Sequence, residues 1–196
     1  MVTMNSASAY EQHAQEFLRV RDRSLIGAKV VRRWADALPR GAEVVEIACG
    51  GGYPVTRELV DAGLQVWAID SSATLVSEFQ SRFADIPVRC EKVQNSDFFA
   101  RSFDGAIAVG LLFLLPESEQ ATLIARVADV LVVGGRFLFT APIEIGTWQD
   151  MNTGIECSSL GRARYEGILK ASGLRLLATW EDEGKNNYYE TVKLGE

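Results

Sequence analysis

A glycine-rich turn is the first feature of the chain that is suited to chemistry. The segment Glu46–Gly52 reads Glu-Ile-Ala-Cys-Gly-Gly-Gly and separates an apolar run from a stretch typical of a helix. Glycines let a backbone approach a ligand without a Cβ clash, and the following helix offers free N–H groups and a positive dipole. Turns of this kind bind many nucleotides. Because the Lys-Ser/Thr ending of a phosphate-binding P-loop is absent, phosphate binding is not predicted.

Asp70 lies about 20 residues after the turn, at the end of a second apolar segment. That spacing places a carboxylate beside a ribose, where it can accept two hydrogen bonds from the vicinal diol. A helix N-cap is the alternative role for this aspartate. Together, the turn and Asp70 indicate a nucleoside with a free ribose diol.

The elements that must position these residues alternate between strand and helix. This alternation predicts a parallel α/β sheet with helices on both faces. A short turn joins the last two strands, so one edge strand should be antiparallel. The predicted strands are 44–49, 66–69, 88–93, 104–112, 136–141, 174–180 and 188–193, and the predicted helices are 8–37 with a break near 24–27, 54–62, a helix from the Ser71–Ser72 cap to 84, 117–131 and 161–172.

The bulk properties exclude several classes of protein. A chain of 196 residues suits one domain with a full core. Its formal charge of −6 argues against a nucleic-acid partner. Its three cysteines are far apart and form no Cys/His cluster, so neither a disulfide framework nor a metal site is expected. Without a run of ~20 apolar residues or an apolar leader, we expect no membrane partner and a cytoplasmic location.

Five motifs in order resemble one family. Over nearly its whole length the chain is similar to the class I S-adenosylmethionine-dependent methyltransferases of the small-molecule type. The family's first motif, an acidic residue followed by alternating glycines, is matched by Glu46, Gly50 and Gly52. Ala48 stands where the first glycine is usual, which we expect to be tolerated if its backbone is extended. The further matches are Val66–Asp70, Asn95–Phe98, Ser102–Gly110 and Leu131–Phe137.

The resemblance implies a fold and a cofactor. The fold is a Rossmann-like, mostly parallel sheet of seven strands, with helices on both faces and an antiparallel last strand. The cofactor is S-adenosyl-L-methionine, with Asp70 on the ribose, Asp97 on the adenine amino group and Phe98 beside the adenine ring. The cofactor-binding residues expected on this basis are Glu46, Ala48, Gly50, Gly52, Asp70, Ser71, Asp97, Phe98, Gly110, Tyr10 and Arg21.

The segment Tyr10–Phe17 resembles the helix that caps the cofactor in small-molecule members. By that resemblance Tyr10 contacts the methionine part of the cofactor, and an arginine among Arg19, Arg21 and Arg23 pairs with its carboxylate, Arg21 being preferred. A surface helix is the alternative. We expect one methyltransferase domain over residues 1–196, with a helical cap at 1–38 and an acceptor loop at 142–160, a long irregular stretch at the carboxyl edge of the sheet.

The acceptor is predicted by exclusion. The Asp/Asn-Pro-Pro-Tyr sequence of enzymes that methylate DNA or protein amines is absent at Val109–Phe113, and magnesium-binding carboxylates are not recognisable. We therefore expect a small organic acceptor and no metal. Several residues near the acceptor loop can bind the acceptor, although ordinary packing or solvation is the alternative for each. They are Glu144, Asp150, Glu156 and Tyr165 as polar groups, Phe113, Trp148, Tyr188 and Tyr189 as an aromatic wall, and Cys157 as an unactivated thiol.

The predicted reaction is direct displacement, in which the protein aligns two reactants and excludes water. A hydroxyl acceptor usually needs a base, whereas an amine or thiolate does not. The catalytic residues are unknown, with His13, Tyr10 and Glu144 as candidate bases. Two alternatives to a methyltransferase stay open: a catalytically inactive S-adenosylmethionine-binding sensor or accessory protein, and a nicotinamide dehydrogenase. Monomer and homodimer are both open.

Overall fold

The computed structural model describes residues 5–195, so the ends of the predicted single domain, residues 1–4 and 196, lie outside the described residues. Strands and helices alternate along most of the chain, as the sequence predicts. The strands are β1 Glu43–Ile47, β2 Gln65–Asp70, β3 Val88–Cys90, β4 Phe103–Ala108, β5 Leu131–Thr140, β6 Ile145–Gln149, β7 Glu156–Leu160, β8 Leu174–Glu181 and β9 Asn187–Lys193. The α-helices are α1 Ser6–Arg21, α2 Ala28–Asp36, α3 Val55–Asp61, α4 Ala73–Arg82, α5 Glu117–Val130 and α6 Arg162–Ala171.

Seven strands form one sheet in the order β3-β2-β1-β4-β5-β9-β8. Strand β9 is antiparallel to both of its neighbours, β5 and β8. The pairs among the first five strands are parallel. The Rossmann-like sheet with an antiparallel last strand is therefore confirmed, and its order reverses between β1 and β4, which is where open α/β sheets bind ligands.

The core lies on both faces of the sheet because the central strands are apolar on both sides. In β5, Phe137 and Phe139 pack on the face covered by α5 and α6, whereas Leu138 packs on the opposite face with Trp34 of α2. Strand β1 divides in the same way, since Val45 belongs to the first cluster and Val44 to the second. These two layers hold the carboxyl ends of the strands at one fixed edge.

The predicted helix over 8–37 is two helices, and it breaks where the sequence suggests. The break ends at Gly27, whose φ of 86° is accessible to glycine at little cost. A Cβ at this position would lie 2.3 Å from the Tyr188 hydroxyl, so the chain here needs glycine for space as well. Within residues 5–195, no helix has the length and apolar character needed to cross a membrane.

The stretch 142–160 is not irregular, which corrects the sequence prediction. It forms the antiparallel hairpin of β6 and β7, in register from Ile145 opposite Leu160 to Gln149 opposite Glu156. The Asp150 carboxylate shapes its turn by accepting hydrogen bonds from the Thr153 N–H at 2.9 Å and hydroxyl at 2.7 Å. Every residue of β6 is exposed, so this strand lacks the alternation of buried and exposed residues that reveals a strand in sequence.

Candidate active site

A cavity of about 1130 Å³ opens at the carboxyl ends of β1, β2, β4 and β5. The glycine turn forms its floor, helix α1 covers one side and the β6–β7 hairpin covers the other. The predicted cofactor residues that line it are Tyr10, Arg21, Glu46, Ala48, Gly50, Asp70, Ser71 and Gly110.

The backbone of the glycine turn is left-handed at three positions. Ala48 has a φ of 61°, Gly50 of 56° and Gly52 of 89°. The extended backbone on which the tolerance of Ala48 was conditional is therefore not present, and a left-handed alanine costs about 1–2 kcal/mol relative to its right-handed form. Its N–H is held by the Ile69 carbonyl at 2.8 Å. Gly52 does not line the cavity but packs locally, since a Cβ there would lie 2.4 Å from the Phe83 ring.

Asp70 lies where β2 ends, and the residue is only 8% exposed. It accepts hydrogen bonds from the backbone N–H groups of Gly50 at 2.8 Å and Ser72 at 2.9 Å. Burial raises its pKa, and these donors oppose the rise. The N-cap of α4 is Ser72, whose hydroxyl oxygen accepts from the Leu75 N–H at 3.1 Å. Asp70 is therefore not that cap, and its carboxylate joins the turn to α4 at the cavity wall.

Asp97 and Phe98 lie away from the cavity, which corrects their predicted contact with adenine. The Asp97 carboxylate is 62% exposed and forms an ion pair with Arg89. The Phe98 ring is buried in the core, with the Arg126 guanidinium 5.1 Å from its centre. Both predictions came from the motif match at Asn95–Phe98. Strand β3 ends at Cys90 and brings a different residue to the edge.

That residue is Glu91, which the sequence reasoning missed. It directly follows β3, in the way that the cavity-lining Ser71 follows β2. One Glu91 carboxylate oxygen is buried and has no hydrogen-bond partner among residues 5–195, the Arg89 guanidinium lying 3.8 Å away. A buried acceptor without a donor is costly unless a ligand supplies one. A correct end for β3 would have identified it from the sequence.

Helix α1 presents Tyr10, Phe17 and Arg21 to the cavity. The Arg21 guanidinium donates one hydrogen bond, to the Ile26 carbonyl at 3.2 Å. No carboxylate of the described residues lies within ion-pair distance of it, and burial lowers its pKa. Arg19, by contrast, is exposed and paired with Glu16 at 2.6 Å. Arg21 is therefore a half-buried cation that can receive an anionic group from the cavity.

Two of the three candidate bases are not placed to act. The His13 Nδ1 atom lies 2.9 Å from the Ala9 carbonyl of its own helix, and neither His13 nor the exposed Glu144 lines the cavity. Tyr10 does line it, with its hydroxyl 3.5 Å from Asp150 Oδ1. Burial and the nearby Asp150 raise the pKa of Tyr10 well above its usual range, so its hydroxyl keeps its proton at neutral pH.

Glu46 is buried at the end of β1 and accepts a hydrogen bond from the Thr56 hydroxyl at 2.6 Å. Burial raises its pKa to about 8, so this carboxyl is largely protonated at neutral pH. Gly110, two residues after the end of β4, fixes the opposite wall by donating its N–H to the Thr140 hydroxyl at 2.7 Å. These two contacts hold the sheet edge in place beneath the cavity.

The hairpin side of the cavity carries part of the predicted aromatic wall. Phe113 and Trp148 contact each other with ring centroids 5.5 Å apart, and both line the cavity, as does Tyr188. Tyr189 instead stacks on Phe139 in the core at 4.9 Å. Among the polar candidates, Asp150, Glu156 and Cys157 line the cavity, whereas the Tyr165 hydroxyl is buried and donates to Gln120 at 2.7 Å. Burial raises the pKa of Cys157 to about 11, which keeps it a thiol.

The donor set suits an adenosyl amino acid. Asp70 and the Glu91 oxygen that lacks a hydrogen bond among residues 5–195 offer acceptors for hydroxyl and amino groups, and Arg21 offers a cation for a carboxylate. Within residues 5–195, no group of three or more His, Cys, Asp or Glu side chains is placed to hold a metal ion.

Comparison with known proteins shows similarity to methyltransferases. A family model described as a methyltransferase domain matches residues 44–135. Aklanonic acid methyltransferase of a Streptomyces strain is 27% identical over 146 residues, which cover 70% of this chain and 62% of that protein. The chain thus spans less than two thirds of that relative.

Two solved structures share the fold. Magnesium protoporphyrin IX methyltransferase from Synechocystis, with bound S-adenosylmethionine, is 18% identical with a TM-score of 0.69, covering 92% of this chain and 83% of that one. An S-adenosylmethionine-dependent methyltransferase from Clostridium acetobutylicum is 15% identical with a TM-score of 0.71, covering 95% and 99%. The chain therefore has the fold of these S-adenosylmethionine-dependent methyltransferases, and its residues 44–135 are similar to a methyltransferase domain.

Proposed function

We propose that this protein transfers a methyl group from S-adenosylmethionine to a small organic acceptor by direct displacement. The observation that carries the proposal is the shape of one cavity. Its floor has the acceptors and the cation that suit an adenosyl amino acid, and its hairpin side has the aromatic pair Phe113 and Trp148. A donor and an apolar acceptor can therefore lie side by side within it.

In this proposal, three charged side chains hold the cofactor. Asp70 accepts from the ribose hydroxyls, Glu91 accepts from the adenine amino group in place of Asp97, and Arg21 binds the carboxylate of the methionine part. Ala48, Gly50 and Ser71 form the surrounding wall, and Tyr10 covers the methionine end. The hydrogen bonds from Gly50 and Ser72 to Asp70 fix the carboxylate before the ligand arrives, which reduces the entropy lost on binding.

S-adenosylmethionine, when bound, supplies an electrophilic methyl group on a sulfonium. The protein's own part is to align the acceptor and exclude water. Residues 142–160 cover the acceptor, and α1 (part of the 1–38 cap) covers the cofactor, the two meeting where Tyr10 lies beside Asp150. Tyr10 keeps its proton, and no unpaired histidine of the described residues lines the cavity. We therefore favour an acceptor that is nucleophilic without a protein base.

A small acceptor is supported by the names of two matched proteins, which act on aklanonic acid and on magnesium protoporphyrin IX. It is also supported by the apolar rings at the hairpin side, since aromatic faces bind planar and cationic organic groups.

The experiment that tests the proposal has two steps. Thermal unfolding is measured with S-adenosylmethionine and with S-adenosylhomocysteine, and each should raise Tm by about 5–10 °C at about 100 times its Kd. Formation of S-adenosylhomocysteine is then measured with a panel of aromatic amines, thiols, phenols and carboxylic acids. Absence of a shift with both ligands would overturn the proposal. Binding without turnover on any acceptor would favour a sensor or accessory protein.

Arg21→Met should weaken the binding of S-adenosylhomocysteine by at least about tenfold, because a buried carboxylate would lose its charged partner. The same variant should leave the Kd of 5′-methylthioadenosine unchanged, because this ligand lacks the amino-acid part. Both constants are measured by titration calorimetry.

Arg19→Met is the matched control for this prediction. It removes a cation two residues away on the same helix, but one that is exposed and paired with Glu16. Neither ligand should lose affinity in this variant. Equal losses of both ligands in Arg21→Met would show that Arg21 supports the cavity as a whole and does not bind the carboxylate.

A further inference from the structure

Glu11 joins helix α1 to the first turn of α4. Its carboxylate accepts hydrogen bonds from the Ser72 hydroxyl, from the Thr74 hydroxyl at 2.7 Å and from the Thr74 N–H at 3.2 Å. These donors lower the pKa of Glu11, so it is ionised at neutral pH. Glu11 itself does not line the cavity. Three donors on one surface carboxylate form a more defined contact than an ordinary surface ion pair.

This contact continues to the floor of the cavity. The Ser72 N–H donates to Asp70 Oδ1 at 2.9 Å, and Asp70 Oδ2 accepts from the Gly50 N–H at 2.8 Å. A line of hydrogen bonds therefore runs from Glu11 through Ser72 and Asp70 to the glycine turn. If α1 moved at Glu11, the positions of Ser72 and Gly50, which donate hydrogen bonds to Asp70, would change as well.

The other attachments of α1 lie nearer its carboxyl end. Ala14 and Leu18 pack against Leu75 of α4. Asp22, just after the helix, forms a two-bond pair with Arg82 at 2.6 and 2.8 Å. These contacts anchor the second half of α1 whether or not Glu11 is present. Glu11 is the polar contact with α4 in the first half, next to Tyr10 of the cavity wall.

We propose that Glu11 is a positioning residue for cofactor binding. It holds the first half of α1 over the cavity and fixes Ser72 against Asp70, although it does not touch the ligand. This inference rests on the proposed function, because it concerns the affinity of the cofactor site. It assigns a role to a charged residue that lies outside the cavity and outside the five ordered motifs.

The test measures the Kd of S-adenosylhomocysteine by titration calorimetry for Glu11→Ala, Glu11→Gln and Thr74→Val. Glu11→Ala should raise Kd by about tenfold, the scale of one lost charge-assisted hydrogen bond. Glu11→Gln should stay within about threefold of wild type, because its amide oxygen can accept from the Ser72 hydroxyl and the Thr74 N–H while its amide nitrogen donates to the Thr74 hydroxyl. Thr74→Val removes the hydroxyl that donates to Glu11 and should raise Kd by about threefold.

The Tm of each variant is also measured without ligand. If Glu11 only stabilised the fold, its variants would lower this Tm and would not give this order of Kd values at an unchanged Tm. Glu16→Ala is the control on the same helix, since Glu16 pairs with Arg19 on the exposed face, and its Kd should match wild type. Glu11→Ala binding within twofold of wild type would overturn the inference and leave the proposed function intact. No binding by wild type would overturn both. The double variant Glu11→Ala/Thr74→Val should lose less binding free energy than the sum of the losses in the two single variants, because both substitutions remove the same contact.

Discussion

Asp70→Ala is expected to abolish measurable binding of S-adenosylhomocysteine, with Kd raised by at least about 100-fold. The substitution removes the acceptor proposed for the ribose diol, and two hydrogen bonds to charged oxygen are worth about 1.5–3 kcal/mol each. It also leaves the N–H groups of Gly50 and Ser72 without the acceptor that they use in the folded protein. The glycine turn and the start of α4 then lose their common anchor, so the remaining cavity wall is less well ordered.

Two measurements separate these effects. Titration calorimetry gives the loss of affinity, and urea unfolding without ligand gives the loss of stability, which should be about 1–3 kcal/mol for buried donors left unpaired. Asp70→Asn should not restore binding. Its amide oxygen can accept one N–H, but its amide nitrogen then faces the second N–H donor.

Asp97→Ala is the matched control, because the sequence motif pointed to Asp97 as a cofactor ligand and the structure places it outside the cavity. Its Kd should stay within twofold of wild type, whereas Glu91→Ala should weaken binding measurably. A large loss in Asp97→Ala, with none in Glu91→Ala, would contradict the assignment of the adenine end. Retained affinity in Asp70→Ala would contradict the assignment of the ribose end.

The fold could be predicted because the apolar pattern of each central strand matches the burial of that strand in the sheet. Strand β4 is apolar except for Asp104, as expected for a strand buried on both faces, and β5 alternates Phe137, Leu138 and Phe139 between two core clusters. The break before α2 carries its own signal in Gly27. Strand β6 carries no such signal because all of its side chains are exposed, and only pairing with β7 defines it.

A site residue could be predicted from the sequence where the end of the preceding strand could be predicted. Asp70 was placed correctly because β2 ends where its apolar run ends. The predicted end of β3 at residue 93 was wrong, since Val93 belongs to a short 3-10 turn, and the motif match at Asn95–Phe98 gave Asp97 and not the cavity-lining Glu91. At Ala48, sequence gives the residue but not its φ, because the left-handed turn is imposed by the backbone bond to Ile69 and by the neighbouring glycines.

Glu46→Gln is expected to flatten the dependence of stability on pH. Burial raises the pKa of Glu46 to about 8, whereas a glutamate in an unfolded chain titrates near 4.3. Between these values the folded protein keeps a proton that the unfolded chain releases. Stability from this group is therefore fully present below about pH 4.3 and is lost as pH rises towards 8, at up to about 1.4 kcal/mol per pH unit.

Glutamine mimics the protonated carboxyl and can still accept from the Thr56 hydroxyl, so the variant keeps the contact but has no proton to lose. Urea unfolding of the ligand-free proteins from about pH 5 to about pH 8 should show the wild type falling relative to Glu46→Gln, with a slope difference near one proton. Glu43→Gln is the control on the same strand, because Glu43 is paired with Arg101 at 2.7 Å and is not fully buried. Its slope should follow wild type. Parallel slopes for Glu46→Gln and wild type would mean that Glu46 is already ionised in the folded protein, with Arg21 or the Thr56 hydroxyl compensating its burial more strongly than the geometry implies.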